Sequence, residues 1–199
     1  MYELPTSVVV NDHKFTITNK GDYRMVLDCF AALRDTEMSE GLRVLASLLI
    51  FYNEFNEPED VTSLPEDVAR KLVEEMYRFF NQGQDQTIGY KTDTSLIDWE
   101  KDEILICSAV NVVANQEIRL APYMHWWTFL GYYMAIGEST LATVMGIRSK
   151  IVKHEKLEKW EQKFRRDNPE YFEWKRMTSS EAQKQDDLIR EMWNKGGVQ

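Results

Sequence analysis

The stretch Leu120–Lys150 reads LAPYMHWWTFLGYYMAIGESTLATVMGIRSK, and it decides the fold. From Leu120 to Gly137 it has no Asp, Glu, Lys or Arg, and it holds Tyr123, Trp126, Trp127, Phe129, Tyr132 and Tyr133. An aromatic side chain buries about 150–250 Å², so no other stretch can supply as much core. Apolar groups fall on nearly every face of the implied helix, as in a segment enclosed by protein. With Pro122, His125, Thr128 and three tyrosines, the run falls short of the roughly 20 mainly aliphatic residues of a membrane span. Pro122 is expected to open the aromatic helix and Gly137 to end it. Ser139 then caps a shorter helix through Leu141, Val144 and Met145.

Upstream, Ser95-x-x-Asp98 signals the start of a helix carrying Trp99, Ile106, Ala109, Val110 and Val113. Residues 81–95 are polar and glycine-bearing and read as a long, mobile loop. Ser63-Leu64-Pro65-Glu66 predicts a capping box for a helix that buries Val68, Leu72, Val73, Met76 and Phe80. Before it, a helix from about Ser39 turns Leu42, Leu45, Ala46, Leu49 and Tyr52 inward, and FNEPED breaks the pattern. Asp22 caps a helix with Tyr23, Val26, Leu27, Phe30 and Leu33 on one face. At the N-terminus, Val8–Val10 and Phe15–Ile17 flank the turn Asn11-Asp12-His13-Lys14, a hairpin that needs helices or another strand to be stable.

Downstream of Ile151 the charges mix. Leu157, Trp160 and Phe164 form a narrow amphipathic stripe, and Thr178-x-x-Glu181 opens a last helix with Leu188, Ile189, Met192 and Trp193. The expected fold is mainly α: a compact multi-helix domain with a short N-terminal β-hairpin and C-terminal amphipathic helices. Residues 1–150 form the core domain with the hairpin, and 151–199 a charged arm. The chain has 199 residues, of which 43% are hydrophobic, enough for a packed core. Its net charge of −9 divides into −11 over residues 1–149 and +2 over 150–199. An acidic body argues against nucleic acid as a partner. Cys29 and Cys107 lie in apolar helical contexts without metal spacing and read as buried free thiols of a reducing compartment. No secretory signal is legible.

Reactive constellations are missing. There is no phosphate loop, dinucleotide fingerprint, H-E-x-x-H or G-x-S-x-G, and no cofactor or metal is implied. His13, His125 and His154 are far apart in sequence; His125 reads as a hydrogen-bonded core residue and Cys107 as a core thiol. Glu74-Glu75 and Asp186-Asp187 point about 100° apart on a helix and form no carboxylate dyad. The chain reads as a non-enzyme. Two features suit recognition: a surplus of aromatics in the central helix, and the apolar stripes of the arm. The candidate partner-binding residues are Trp126, Trp127, Tyr133, Trp160 and Phe164, with core packing the competing role for each. Arg148 reads as a structural hydrogen-bond donor at a helix end.

Several blocks taken together resemble a known family. They are Leu4-Pro5, Asp22-Tyr23-Arg24, Ser95-x-x-Asp98 with Asp102, Ile118-Arg119-Leu120, His125-Trp126-Trp127-x-Phe129, and Met145-Gly146-Ile147-Arg148-Ser149-Lys150. In this order and spacing, over about residues 4–176, the chain is similar to the bacteriophage gene-product-fifteen family. It departs from the family pattern at Arg119, where Asp is usual. The resemblance implies a tail-module protein encoded between the tail-tube and tape-measure proteins, the position of a tail assembly chaperone. The implied partners are the tape-measure protein, the tail-tube protein or both, with self-association open and no membrane involved. The implied location is the bacterial host cytoplasm during phage assembly. A structural component of the tail or virion is the alternative.

Overall fold

The computed structural model describes residues 3–84 and 96–173. The chain divides into two compact units: among these residues, one holds 3–84 and 123–128, the other 96–122 and 129–173. Eight α-helices and one two-stranded hairpin are described, so the mainly helical class with an N-terminal hairpin holds.

In the first unit β1 (Ser7–Val10) and β2 (His13–Thr16) pair antiparallel, Val8 opposite Phe15 and Val10 opposite His13. The turn is shorter than the sequence suggests: His13 is already in the ladder. Asn11 and Asp12 carry it alone, at φ 48° and 64°, the left-handed pair that matches strand twist. Lys71 Nζ donates to Asn11 Oδ1 at 2.6 Å, and Asn11 Nδ2 to Asp67 at 3.1 Å, which pins the turn to a helix. The hairpin also rests on the 52–55 segment: Phe15 packs against Tyr52 and Phe55, with ring centroids 5.9 and 6.0 Å away, and Ile17 bridges Tyr52.

Asp22 caps α1 (Tyr23–Arg34) by accepting the Arg24 N–H, as expected. The inward face of α2 (Glu40–Phe51) is rotated from the expected one. Val44, Ser47, Leu48 and Phe51 are buried, and Leu42 is 53% exposed. The cause is Ser47, whose hydroxyl bonds Arg43 O at 2.8 Å and Cys29 O at 3.4 Å. Satisfied on its own helix and on α1, a polar side chain sits at the interface. A short α3 (Pro58–Thr62) occupies the expected break, with a capping box made by Glu57 and Asp60. Ser63 ends it. α4 (Glu66–Phe80) takes Pro65 as its N-cap and buries Ala69, Leu72, Val73, Met76, Phe79 and Phe80.

The second unit begins with Leu96, Ile97 and Asp98 buried ahead of α5 (Glu103–Ala114). α5 opens later than the sequence suggests, at Asp102; Trp99 precedes it and stacks on Phe129 and Tyr133 at 6.3 and 5.3 Å. α6 (Trp126–Met134) opens after Pro122 by four residues and stops three short of Gly137. Its start is set by His125, described below. Ser139 caps α7 (Thr140–Val152) through the Ala142 N–H at 3.1 Å. α8 (Lys159–Asp167) is shorter than the expected stripe and leaves Leu157 outside. A 3-10 turn, Pro169–Phe172, follows. Both cysteines are buried free thiols. Of the expected 81–95 loop, residues 81–84 form the turn that follows α4, while 85–95 and the last helix lie outside the described residues. Among the described residues no helix is long and apolar enough to cross a membrane.

Candidate functional surface

The paired tryptophans first have an internal use. α4 ends in a Schellman motif, Gly83 N–H bonding Arg78 O and Gln82 N–H bonding Phe79 O. The motif serves Arg78 O and Phe79 O, and leaves Phe80 O and the remaining lone-pair capacity of Phe79 O to side-chain donors. The Trp127 indole donates to Phe79 O at 2.8 Å and the Trp126 indole to Phe80 O at 3.0 Å. Adjacent residues thus serve adjacent carbonyls. Trp126 is 2% exposed and edge-packs on Phe30 at 5.6 Å, while Trp127 is half-buried.

His125 fixes how this segment enters. Its Nδ1 accepts the Trp127 N–H at 3.0 Å, so Nε2 carries the proton and donates to Pro5 O at 3.0 Å. Burial pushes the imidazole pKa below its ordinary value, and it is 1% exposed. Met124 N–H bonds Asp22 at 2.9 Å and Tyr23 N–H bonds Met124 O at 2.9 Å. Asp22 also holds the Arg24 guanidinium at 3.1 Å. Gly21, at φ 79°, lets the rings of Phe79 and His125 close over it.

A second knot lies in the other unit. Arg148 is 1% exposed and forms a forked ion pair with Asp102, Nη2 to Oδ1 at 2.9 Å. Nη1 also donates to Leu96 O, and Nε to Tyr171 O, each at 2.8 Å. Asp102 in turn accepts the Asp98 N–H at 3.0 Å. One guanidinium therefore ties α7, the entry to α5 and the 169–172 turn together. Its planar fork suits that task, and a lysine could not span it.

The remaining candidates also belong to this unit. Tyr133 is 9% exposed; its hydroxyl faces the Met145 sulfur at 3.7 Å, and burial pushes its pKa up to about 12. Phe164 is half-buried and meets Phe172 edge-on at 6.3 Å. Trp160 is 54% exposed. It stands beside a groove of about 410 Å³ between α7 and α8, lined by Ser139, Ala142, Thr143, Gly146, Lys150 and Trp160 among others. A Cβ added at Gly146 would meet nothing within 4 Å, so the floor is open. The Trp160 indole N–H bonds Glu158 at 2.9 Å, which holds the ring in place. Lys150 and Glu161 pair across the groove at 2.6 Å; the lysine pushes the Glu161 pKa down and the carboxylate pushes the lysine up. Of the five candidates, Trp160 presents the most ring to solvent. Among the described residues no group of three His, Cys, Asp or Glu could hold a metal.

A family model described as "Bacteriophage Gp15 protein" matches residues 1–172. The chain belongs to this bacteriophage family. No curated protein and no solved structure matches it. In this Gp15-family chain, the blocks that carry the resemblance gather into the two knots, apart from Ile118-Arg119-Leu120. Leu4-Pro5, Asp22-Tyr23-Arg24 and His125-Trp126-Trp127 meet around His125; Asp98, Asp102 and the block containing Arg148 meet around the guanidinium. Arg119, where the pattern departs, forks onto Glu117 at 2.8 and 2.9 Å and helps push that carboxyl down to about 2. The sequence reading did not find Gly21 or the Arg148–Asp102 pair. Arg148 did carry a signal: it falls on the buried stripe of Leu141, Val144 and Ile147, where a charge needs a partner.

Proposed function

We propose that this Gp15-family chain is a non-catalytic tail assembly chaperone that covers apolar helical surface of the tape-measure protein, the tail-tube protein or both. The observation that carries the reading is Trp160, 54% exposed and held beside an open groove floored by Gly146 and Ala142. An exposed tryptophan held beside small residues of a neighbouring helix, in a shallow groove of mixed polarity, is an anchor that a partner helix can pack against. A tape measure is a long helix with apolar stripes, and the acidic first unit would add solubility to a complex. Such a protein acts in the host cytoplasm during assembly.

Co-expression with a tape-measure fragment tests the reading. The fragment's soluble yield rises and the two co-purify, and Trp160→Ala abolishes co-purification without shifting the thermal midpoint. If neither yield nor co-purification responds to the wild-type chain, the reading fails. Recovery of the chain from purified particles in stoichiometric amount would replace it with a structural role in the virion.

A further inference from the structure

A helix of nine residues, such as α8, is too short to persist alone in water, so contacts with the body must keep it. Yet seven of the nine are exposed. The two turned inward are Glu161, buried, and Phe164, half-buried against Phe172. A carboxylate thus stands where an amphipathic helix ordinarily places an apolar side chain. Its Oε2 accepts the Glu158 N–H at 2.7 Å, and its Oε1 takes the Lys150 ammonium of α7 at 2.6 Å. The Glu161 side chain is 4% exposed and that of Lys150 32%. Glu155 and Glu158 face the same lysine, so one cation from α7 holds three carboxylates together. The two ends of the segment are fixed by other bonds. Before α8, Glu155 N–H bonds Lys150 O at 2.8 Å; beyond it, Arg148 Nε bonds Tyr171 O at 2.8 Å.

We propose that α8 is a strap latched by the Lys150–Glu161 pair, lifting from α7 as a unit between its two fixed ends while the rest of the second unit stays folded. Local opening starts where little apolar area is buried, and α8 buries one half-covered ring. The pair decides how often it opens. Without Lys150, Glu161 would be an unpaired buried charge beside Glu155 and Glu158, and lifting α8 into water relieves both the desolvation and the repulsion. Opening takes Trp160 away from Ser139, Ala142, Thr143 and Gly146, which line the groove from α7. The consequence for a partner rests on the groove reading above: ring and floor are aligned while the strap is closed, so a helix bound to both holds it shut.

Hydrogen exchange of the full chain is the test. The hydrogen-bonded amides of α8 are expected to be at least about tenfold less protected than those of α5. Raising salt from about 0.05 to 0.5 M lowers α8 protection further, because the lysine is partly exposed and screened. Lys150→Met lowers it at least about tenfold and leaves α5 unchanged, whereas Lys150→Arg stays near wild type. Equal protection of α8 and α5 in the wild type overturns the proposal. So does Lys150→Met that leaves α8 unchanged, or that speeds α8 and α5 by one factor, the mark of general destabilisation. Should Lys150→Met not fold, the salt series on the wild type decides, and α8 protection that ignores salt overturns the latch. Capture is a separate readout. A tape-measure fragment that binds the wild type slows α8 exchange and binds Lys150→Met at least about tenfold more weakly; equal binding overturns the link between strap and groove. A wild type that captures nothing removes the groove reading and leaves the strap to stand or fall on exchange.

Discussion

Gly21 leaves no room for a methyl group. A Cβ would lie 2.7 Å from Phe79 Cζ and 3.0 Å from His125 Nε2, at a backbone φ of 79°. Left-handed strain and overpacking together set the expected cost of Gly21→Ala at about 2–4 kcal/mol, read as a fall in the urea midpoint. His125 makes a different prediction. Above about pH 6.5 the imidazole is neutral in both the folded and the unfolded chain. Below that, the unfolded chain takes up a proton that the buried ring resists, so stability falls as pH drops toward the lowered folded pKa. The thermal midpoint of the wild type therefore declines between about pH 7 and 5, and His125→Gln, less stable throughout, loses that part of the slope. His154, at φ 56°, is the left-handed residue of a Schellman motif closing α7, with its own N–H on Ile151 O and Glu155 N–H on Lys150 O. His154→Gly is expected to raise stability by about 1 kcal/mol, measured by urea denaturation.

The elements are held by bonds between distant segments. Trp127→Phe removes a donor from Phe79 O at the half-buried end of α4 and is expected to cost about 1–2 kcal/mol; Trp126→Phe, wholly enclosed, costs more. Hydrogen exchange localises both losses to the last turn of α4. Arg148→Met strands the buried Asp102 charge and is expected to cost about 3–5 kcal/mol. The double variant with Asp102→Leu recovers part of that but leaves Leu96 O and Tyr171 O without their donor, so a double-mutant cycle separates the ion pair from the carbonyl bonds. What was legible at this scale follows from range. Asp22 and Ser139 as caps act on neighbours two and three residues away, and both were read correctly. The face of α2 was misread because Ser47 counts as polar until its acceptors on α1 are known. Ser63 reads as a cap and is not one, since α3 claims it first. Asp102 as the partner of Arg148 is 46 residues away, and local spacing says nothing at that distance.

For the whole molecule, the class and the hairpin were legible because patterning of apolar residues decides both. The aromatics of the central helix are enclosed or half-enclosed, so they offer no exposed surplus. Trp126 and Tyr133 serve the interior, and Trp160, with nothing in its sequence context to distinguish it, is the exposed one. Trp160→Ala is expected to leave the urea midpoint within about 0.5 kcal/mol of wild type, as surface changes do. The blocks that mark the family are largely walled in around His125 and Arg148; Trp160 lies outside them, although the groove beside it takes Gly146, Ile147 and Lys150 from the last block. The signature thus records how the chain is built. A chain that kept every buried letter of both knots and lost only the Trp160 ring would keep this scaffold, so in this fold the side chains that build the body and the one offered to solvent can be changed separately.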